Sequence, residues 1–294
     1  MENHKAGFVN IIGNPNVGKS TLMNELIGEK LSIITPKAQT TRHRIFGIIN
    51  SDDFQIVVSD TPGIINPHYS LHKSMMQFVD TALNDADIVI YVTDIYDDPE
   101  KNPVYIERIA NTDIPTLVII NKIDLSTQEK IEQKVDQWKE IMPKANILPI
   151  SAKFKLNIDM VLKYILHHLP ESPAYFPKDE LTDKTMRFIV SEIVREKIFL
   201  HYKKEIPYSV EVVVESYKET EKKVHIEVTI YTERDTQKRI LIGHQGSMLK
   251  KVGVEARADI EAFIDKHVFL ALHIKVDPDW RNNNQRLRSF GYIQ

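Results

Sequence analysis

"GNPNVGKS", residues 13 to 20, decides the reading of the amino-terminal half. It matches G-x-x-x-x-G-K-[ST] and lies between "FVNIIG" (8–13), a short apolar run ending in glycine, and a helical stretch from Lys19 to about Ile27. Glycines let the backbone wrap round phosphates, and the helix that follows aims its first N–H groups and the positive end of its dipole at them. Lys19 can neutralise β and γ oxygens, and the Ser20 hydroxyl can bind Mg²⁺. Gly13, Asn14, Pro15, Asn16, Val17, Gly18, Lys19, Ser20 and Thr21 are therefore the expected phosphate loop. The expected fold class is α/β, a P-loop domain with a doubly wound, mainly parallel sheet and its ligand at the carboxyl ends of the strands.

The surrounding pattern fits. "HRIFGIIN" and "FQIVVSD" flank Ser51-Asp52-Asp53 and read as a hairpin, and helical spacing returns through "LHKSMMQFVDTALNDA". "DIVIYVTD" (87–94), "PTLVIINK" (115–122) and "ANILPISA" (145–152) are continuous apolar runs, as strands covered on both faces require. "LPESPAYFPKDELTDKT" (169–185) carries three prolines and reads as a connection. The expected domains are a nucleotide-binding domain over 1–172, a linker over 173–184 and a second domain over 185–294. That second domain reads as α+β: a long amphipathic helix, two alternating strands, a strand-like "RILI" before "GHQG", helices, and a last strand "VFLALHIKV".

Bulk numbers set limits. The chain has 294 residues, 42% of them hydrophobic and 27% charged, as in ordinary globular proteins. The absence of cysteine excludes a disulfide scaffold and thiolate chemistry. "MENHKAGFVNIIG" has no signal-type apolar core and no apolar run reaches membrane-span length, so the expected location is the cytoplasm, with any membrane contact peripheral. The net charge of −3 is uneven: residues 1–182 carry 18 Lys plus Arg against 24 Asp plus Glu, and residues 183–294 carry 20 against 17. A basic second half hints at a polyanionic partner.

Further motifs stand at strand ends. In "DTPG", Asp60 can hold Mg²⁺, and Thr61, Pro62 and Gly63 continue the segment, with the Gly63 N–H able to meet a γ-phosphate. In "NKID", Asp124 can accept from both N1–H and the 2-amino group of guanine, whereas adenine would leave it unpaired. Asn121 would tie loops together, and the Lys122 stem would cover the base. "SAK", Ser151, Ala152 and Lys153, offers backbone N–H to guanine O6. GTP and GDP are the expected ligands. "QTTRHR" (39–44) stands where a nucleotide-sensing loop should lie. Either Thr40 or Thr41 can complete the Mg²⁺ shell, with Thr41 preferred. Many GTPases continue the "DTPG" segment with a glutamine that positions water. Here Ile64 follows, and its side chain cannot hydrogen-bond.

"GNPNVGKST", "KAQTTRHRI", "DTPG", "NKID" and "SAK", followed by "ILIGHQGSMLKKVG" and "ARADIE", resemble the bacterial Era GTPases over essentially the whole chain. The resemblance implies a type II KH domain at the carboxyl end, whose GxxG loop clamps about four nucleotides. Gly243, His244, Gln245 and Gly246 form that loop, with Lys238, Arg239, Lys250 and Lys251 flanking it. It also implies slow Mg²⁺-dependent hydrolysis with a hydrophobic residue, Ile64, in place of glutamine, and Lys19, Thr41, Asp60 and Gly63 around the phosphates. Asn16 stands where potassium-using relatives bind that ion. The implied partners of what is expected to be a monomer are the 3′ end of 16S ribosomal RNA and the 30S subunit, in ribosome biogenesis. Two other readings stay open: an RNA scaffold that uses GTP only as a ligand, and a peripheral membrane or cell-cycle switch. Arg281, Arg286 and Arg288 in the tail either touch RNA or pack.

Overall fold

The computed structural model describes residues 4–293. Two compact units emerge: residues up to Ser32 with Thr41–Pro67 and Met75–Asp183, and Ile33–Thr40 with His68–Ser74 and the chain from Lys184 onward.

In the first unit, β1 (Lys5–Gly13), β2 (Ile45–Asn50), β3 (Phe54–Asp60), β4 (Ile88–Asp94), β5 (Thr116–Asn121) and β6 (Asn146–Pro149) make one sheet in the order β2-β3-β1-β4-β5-β6. Only β2 runs antiparallel to its neighbour. Ile88 through Val92 and Val118 through Ile120 are fully buried, which is why these segments read as unbroken apolar runs. Burying each such side chain contributes about 1.5–3 kcal/mol. Helices α1 (Lys19–Ile27), α2 (Ser70–Asn84, its first residues grouped with the second unit), α3 (Pro103–Ala110), α4 (Gln128–Ile141) and α5 (Ile158–His168) alternate with the strands. Strand register brings Asp60 opposite Ile45, Gly13 opposite Val92 and Asp94 opposite Asn121, so the motif residues end at one edge.

Most of the stretch read as a linker, 173–184, belongs to this compact unit. The Gln55 carboxamide accepts from the amides of Tyr175 (2.7 Å) and Phe176 (2.9 Å) and donates to the Phe176 carbonyl (2.8 Å). Ile48 N donates to the Leu181 carbonyl (2.8 Å), and the Thr182 hydroxyl donates to the Phe46 carbonyl (2.6 Å). The segment covers the open edge of β2, whose backbone groups need partners.

The second unit contains α6 (Met186–His201), α7 (Ile206–Ser209), β7 (Glu211–Glu219), β8 (Lys223–Thr232), α8 (Asp235–Ile242), α9 (Ser247–Ile264), β9 (His267–Val276) and α10 (Asn284–Ser289). β7 pairs antiparallel with β8, and β8 parallel with β9. One face of the sheet buries Val212, Val224, Ile226 and Val228 in a core with Val190, Val194, Val252 and Ile260 from the helices. "RILI" is helical, not a strand. Gln237 Oε1 accepts from the amides of Glu233 and Arg234 (both 3.0 Å), opening a helix that turns Leu241 into the core and leaves Ile240 exposed. Ile33–Thr40 runs beside α6 within this unit: Ile34 N donates to Glu196 (3.1 Å) and Arg195 donates to the Thr40 carbonyl (2.6 Å). Arg195 is also bidentate to buried Glu192. The tail packs. Trp280 is fully buried and donates to the Ser209 carbonyl (3.1 Å), Arg281 pairs with Glu233, and Arg286 pairs with Asp277 and lies over Tyr231 and Phe290. Of the three tail arginines, Arg288 alone is exposed.

Candidate nucleotide site and nucleic-acid groove

The phosphate loop links β1 to α1. Gly18 approaches Asn121 at the end of β5 so closely that an added Cβ would lie 2.2 Å from its side-chain Nδ2, and the Gly18 φ of 103° suits only glycine. Lys19 is 6% exposed, and its ammonium donates to the carbonyls of Gly13 (3.0 Å) and Asn14 (2.9 Å) across the mouth of the loop. Burial pushes the Lys19 pKa down to about 8, against the opposing pull of Asp60 and Asp97.

Three oxygen-bearing side chains converge beside it. The Ser20 hydroxyl donates to Asp60 Oδ2 (2.7 Å), Thr41 Oγ1 lies 2.9 Å from Ser20 Oγ, and Thr41 donates to the same Asp60 oxygen (3.2 Å). Asp60 is fully buried, and its Oδ1 has no hydrogen-bond partner among the described residues. Burial raises its pKa, with Lys19 and the neighbouring hydroxyls pulling the other way. An orphaned buried carboxylate oxygen beside two hydroxyls is a hard-oxygen donor set that fits Mg²⁺. Thr40 is elsewhere: its hydroxyl bonds Thr35 Oγ1 (2.6 Å) and the Lys37 carbonyl (2.7 Å). Arg44 of the same stretch is a brace, bonding Ser59 (2.7 Å), Asp85 (2.6 and 2.8 Å) and Asn10 (3.0 Å).

The "DTPG" segment lies against the phosphate loop. Thr61 donates to the Ile11 carbonyl (2.7 Å), and a Cβ on Gly63 would come 2.7 Å from Pro15. Ile64 N donates to the Gly13 carbonyl (3.1 Å), and its side chain is buried.

Asn121 joins three loops. It donates to the Val17 carbonyl (2.8 Å) and accepts from the amides of Lys122 (2.8 Å) and Ala152 (3.0 Å). Lys122 reaches Asp94 (2.6 Å) and the Asn16 carbonyl (2.7 Å). Asp124 is exposed and is oriented by the Ser151 hydroxyl (2.5 Å). Ser151 N donates to the Leu156 carbonyl and Ala152 N to Asn121, so within "SAK" the Lys153 amide is the remaining donor.

In the second unit Gly243–Gly246 joins α8 to α9, with His244 and Gln245 exposed and both glycines at positive φ. A Cβ on Gly243 would strike Met248 at 2.7 Å, whereas Gly246 faces open space, so only Gly246 leaves room for an approaching backbone. A groove of about 430 Å³ runs on from Gly246 between α9 and β9, lined by Leu249, Lys250, Val254, Arg257 and Phe269 among others. Lys250 belongs to it. Lys251, Lys238 and Arg239 do not line it. Arg257 and the 58% exposed Phe269 were not expected from sequence, although Lys250, Val254 and Arg257 follow the i, i+4, i+7 spacing of one helix face.

A phosphate loop, a buried carboxylate–hydroxyl cluster and an "NKID" loop on one sheet edge define a P-loop GTPase, here joined to a KH-type domain. A family model described as 50S ribosome-binding GTPase matches residues 8–122, and a KH domain model matches residues 205–281. The chain belongs to the Era family. It is 38% identical, with a TM-score of 0.94, to Era in a crystal structure of its complex with MgGDPNP and nucleotides 1506-1542 of 16S ribosomal RNA, covering 99% of this chain and 100% of that one. The same figures hold for a single-residue variant of Aquifex aeolicus Era bound to GDP.AlF4-.

Proposed function

We propose that this chain is a slow, Mg²⁺-dependent GTP switch whose KH domain binds the 3′ end of 16S ribosomal RNA during assembly of the small subunit, in the cytoplasm. The observation that carries the first half is the convergence of Ser20, Thr41 and Asp60 beside Lys19. In this reading Ser20, Thr41 and Asp60 would hold Mg²⁺, which when bound would supply positive charge against the phosphate oxygens. Lys19 and the loop amides hold the phosphate oxygens, and Gly63 N–H follows the γ-phosphate. Asp124 and the Lys153 amide select guanine, and the Lys122 stem covers it. Ile64, apolar and buried, takes no part in proton transfer, so orientation of the attacking water falls to backbone groups. Potassium beside Asn16 is the second cation of this proposal.

The RNA half is supported by the groove from Gly246 along α9 and by the RNA held by the 38% identical Era. Gly246, His244 and Gln245 would meet the sugar–phosphate chain, Lys250 and Arg257 its phosphates, and Phe269 a base face. Fluorescence anisotropy with a labelled RNA matching the 16S 3′ end tests it. Arg257→Ala and Gly246→Asp should each weaken binding about tenfold or more while leaving GDP affinity intact. Unchanged RNA affinity in both would refute this groove as the binding surface.

A further inference from the structure

Asn14, the second residue of the phosphate loop, has a buried side chain. It is 4% exposed, and both ends of its carboxamide are taken by the connection between β4 and α3. Asn14 Nδ2 donates to Asp97 Oδ2 (2.7 Å), and Asn14 Oδ1 accepts from the side-chain Nδ2 of Asn102. Asp97 is itself anchored: it is 7% exposed, accepts from Thr93 (3.3 Å) and Lys101 (3.3 Å), and its carbonyl accepts from Lys134 of α4 (2.7 Å). Asn102 opens α3. The backbone carbonyl of Asn14, fixed by these two contacts, is one of the two acceptors that aim the Lys19 ammonium. Pro15 follows, which already restricts the Asn14 backbone, so rotation of the Asn14 carboxamide is the freedom left to remove.

We propose that Asp97 and Asn102 are positioning residues for GTP binding and hydrolysis: they clamp the Asn14 side chain, and through the Asn14 carbonyl they hold Lys19 where the β- and γ-phosphates meet it. The proposal rests on the GTPase reading above and extends its machinery to a connection that no nucleotide-binding motif covers. The end of β4 reaches the loop as well, because Asp94 holds Lys122 against the Asn16 carbonyl. A loop preset in this way does not have to be ordered by the incoming nucleotide, so its cost is not charged to affinity or to the chemical step.

The test combines a double-mutant cycle with a conservative rescue. GDP affinity is measured by competition with a fluorescent GDP, and single-turnover GTP hydrolysis is followed alongside. Asp97→Ala should weaken GDP binding and slow hydrolysis by about 10- to 100-fold, the range for one misplaced charge-assisted hydrogen bond. Asp97→Asn, which keeps an acceptor for Asn14 Nδ2, should stay within about threefold of the parent, since the hydrogen bond survives without the charge. In a Lys19→Ala background, Asp97→Ala should change GDP affinity less than about twofold, because its effect runs through Lys19. Equal losses in both backgrounds, or parent-like binding by Asp97→Ala, would overturn the proposal. Should Asp97→Ala fail to fold, Asn102→Ala takes its place, with a loss of about three- to tenfold in the parent background and none in Lys19→Ala. A parent protein that binds GDP without hydrolysing GTP would refute the enzymatic reading and leave the affinity cycle to judge the clamp. A parent that binds no GDP would overturn both.

Discussion

Lys19 makes nucleotide binding depend on pH in a direction the structure sets. Its ammonium is buried, and its pKa falls from the ordinary 10.5 to about 8. Without nucleotide, it therefore loses its proton as pH rises through about 8. Phosphate oxygens favour the charged form, so GDP binding takes up a proton wherever free Lys19 is neutral. Affinity should be flat below pH 7 and fall tenfold per unit above about 8, giving about a tenfold loss between pH 7 and pH 9. The fold, burial outweighing the pull of Asp60 and Asp97, disfavours the charged form by roughly 3 kcal/mol net, and stability should rise as pH climbs from about 8 towards 10.5, where the folded state has shed the proton that the unfolded chain still holds. Isothermal titration of GDP across pH 6.5–9.5, in buffers of different ionisation enthalpy, counts the proton directly. Lys19→Arg keeps its charge throughout and supplies the reference curve, which also contains any titration of guanine itself. Parallel curves for the parent and Lys19→Arg, or no proton uptake at pH 9, would refute the reasoning.

Three further outcomes follow from single side chains. Thr41→Ala should lower affinity for a GTP analogue in Mg²⁺ by about 10- to 100-fold, as expected for one lost contact to a charged group, while Thr40→Ala, whose hydroxyl bonds Thr35 and Lys37, should leave it within about twofold. Asp124→Asn should reduce GTP binding by about 10²–10⁴-fold, since two charge-assisted hydrogen bonds at roughly 1.5–3 kcal/mol each are lost, and should raise affinity for xanthosine triphosphate, whose C2 carbonyl accepts from the new amide. Arg195→Ala should lower unfolding stability by about 3–5 kcal/mol in urea melts, because it strands buried Glu192, whereas exposed Arg288→Ala should change it by under about 0.5 kcal/mol.

Where function depends on neighbours in the chain, the sequence was legible. Gly13 to Ser20 needs only a strand, a turn and a helix, and the alternation of apolar runs around it implied the mainly parallel sheet. The antiparallel strand of that sheet, β2, was legible too, through the polar turn at Ser51–Asp53. Contacts across long separations were not. Asn14 and Asp97 meet 83 positions apart, and nothing in "DIYDDPEKN" distinguishes a clamp from a solvated acidic loop. The 173–184 stretch has linker composition, yet Gln55 and the open edge of β2 capture most of it. "RILI" shows the ambiguity of four apolar residues, which suit a strand or one helical turn until Leu241 is seen in the core. Thr40 and Thr41 differ by one position and by which partners they reach, a distinction that only side-chain geometry makes. Arg257 and Phe269 were not singled out because the groove is built from two elements, α9 and β9, and only the fold brings "ARADIE" of α9 beside Phe269 of β9.

Single-turnover GTP hydrolysis with and without a short RNA matching the 16S 3′ end joins the two halves in one experiment. The proposed switch requires slow hydrolysis alone, acceleration by the RNA, and loss of that acceleration in Gly246→Asp. A rate that tightly bound RNA leaves unchanged would contradict the switch and favour a scaffold that holds GTP without using its hydrolysis.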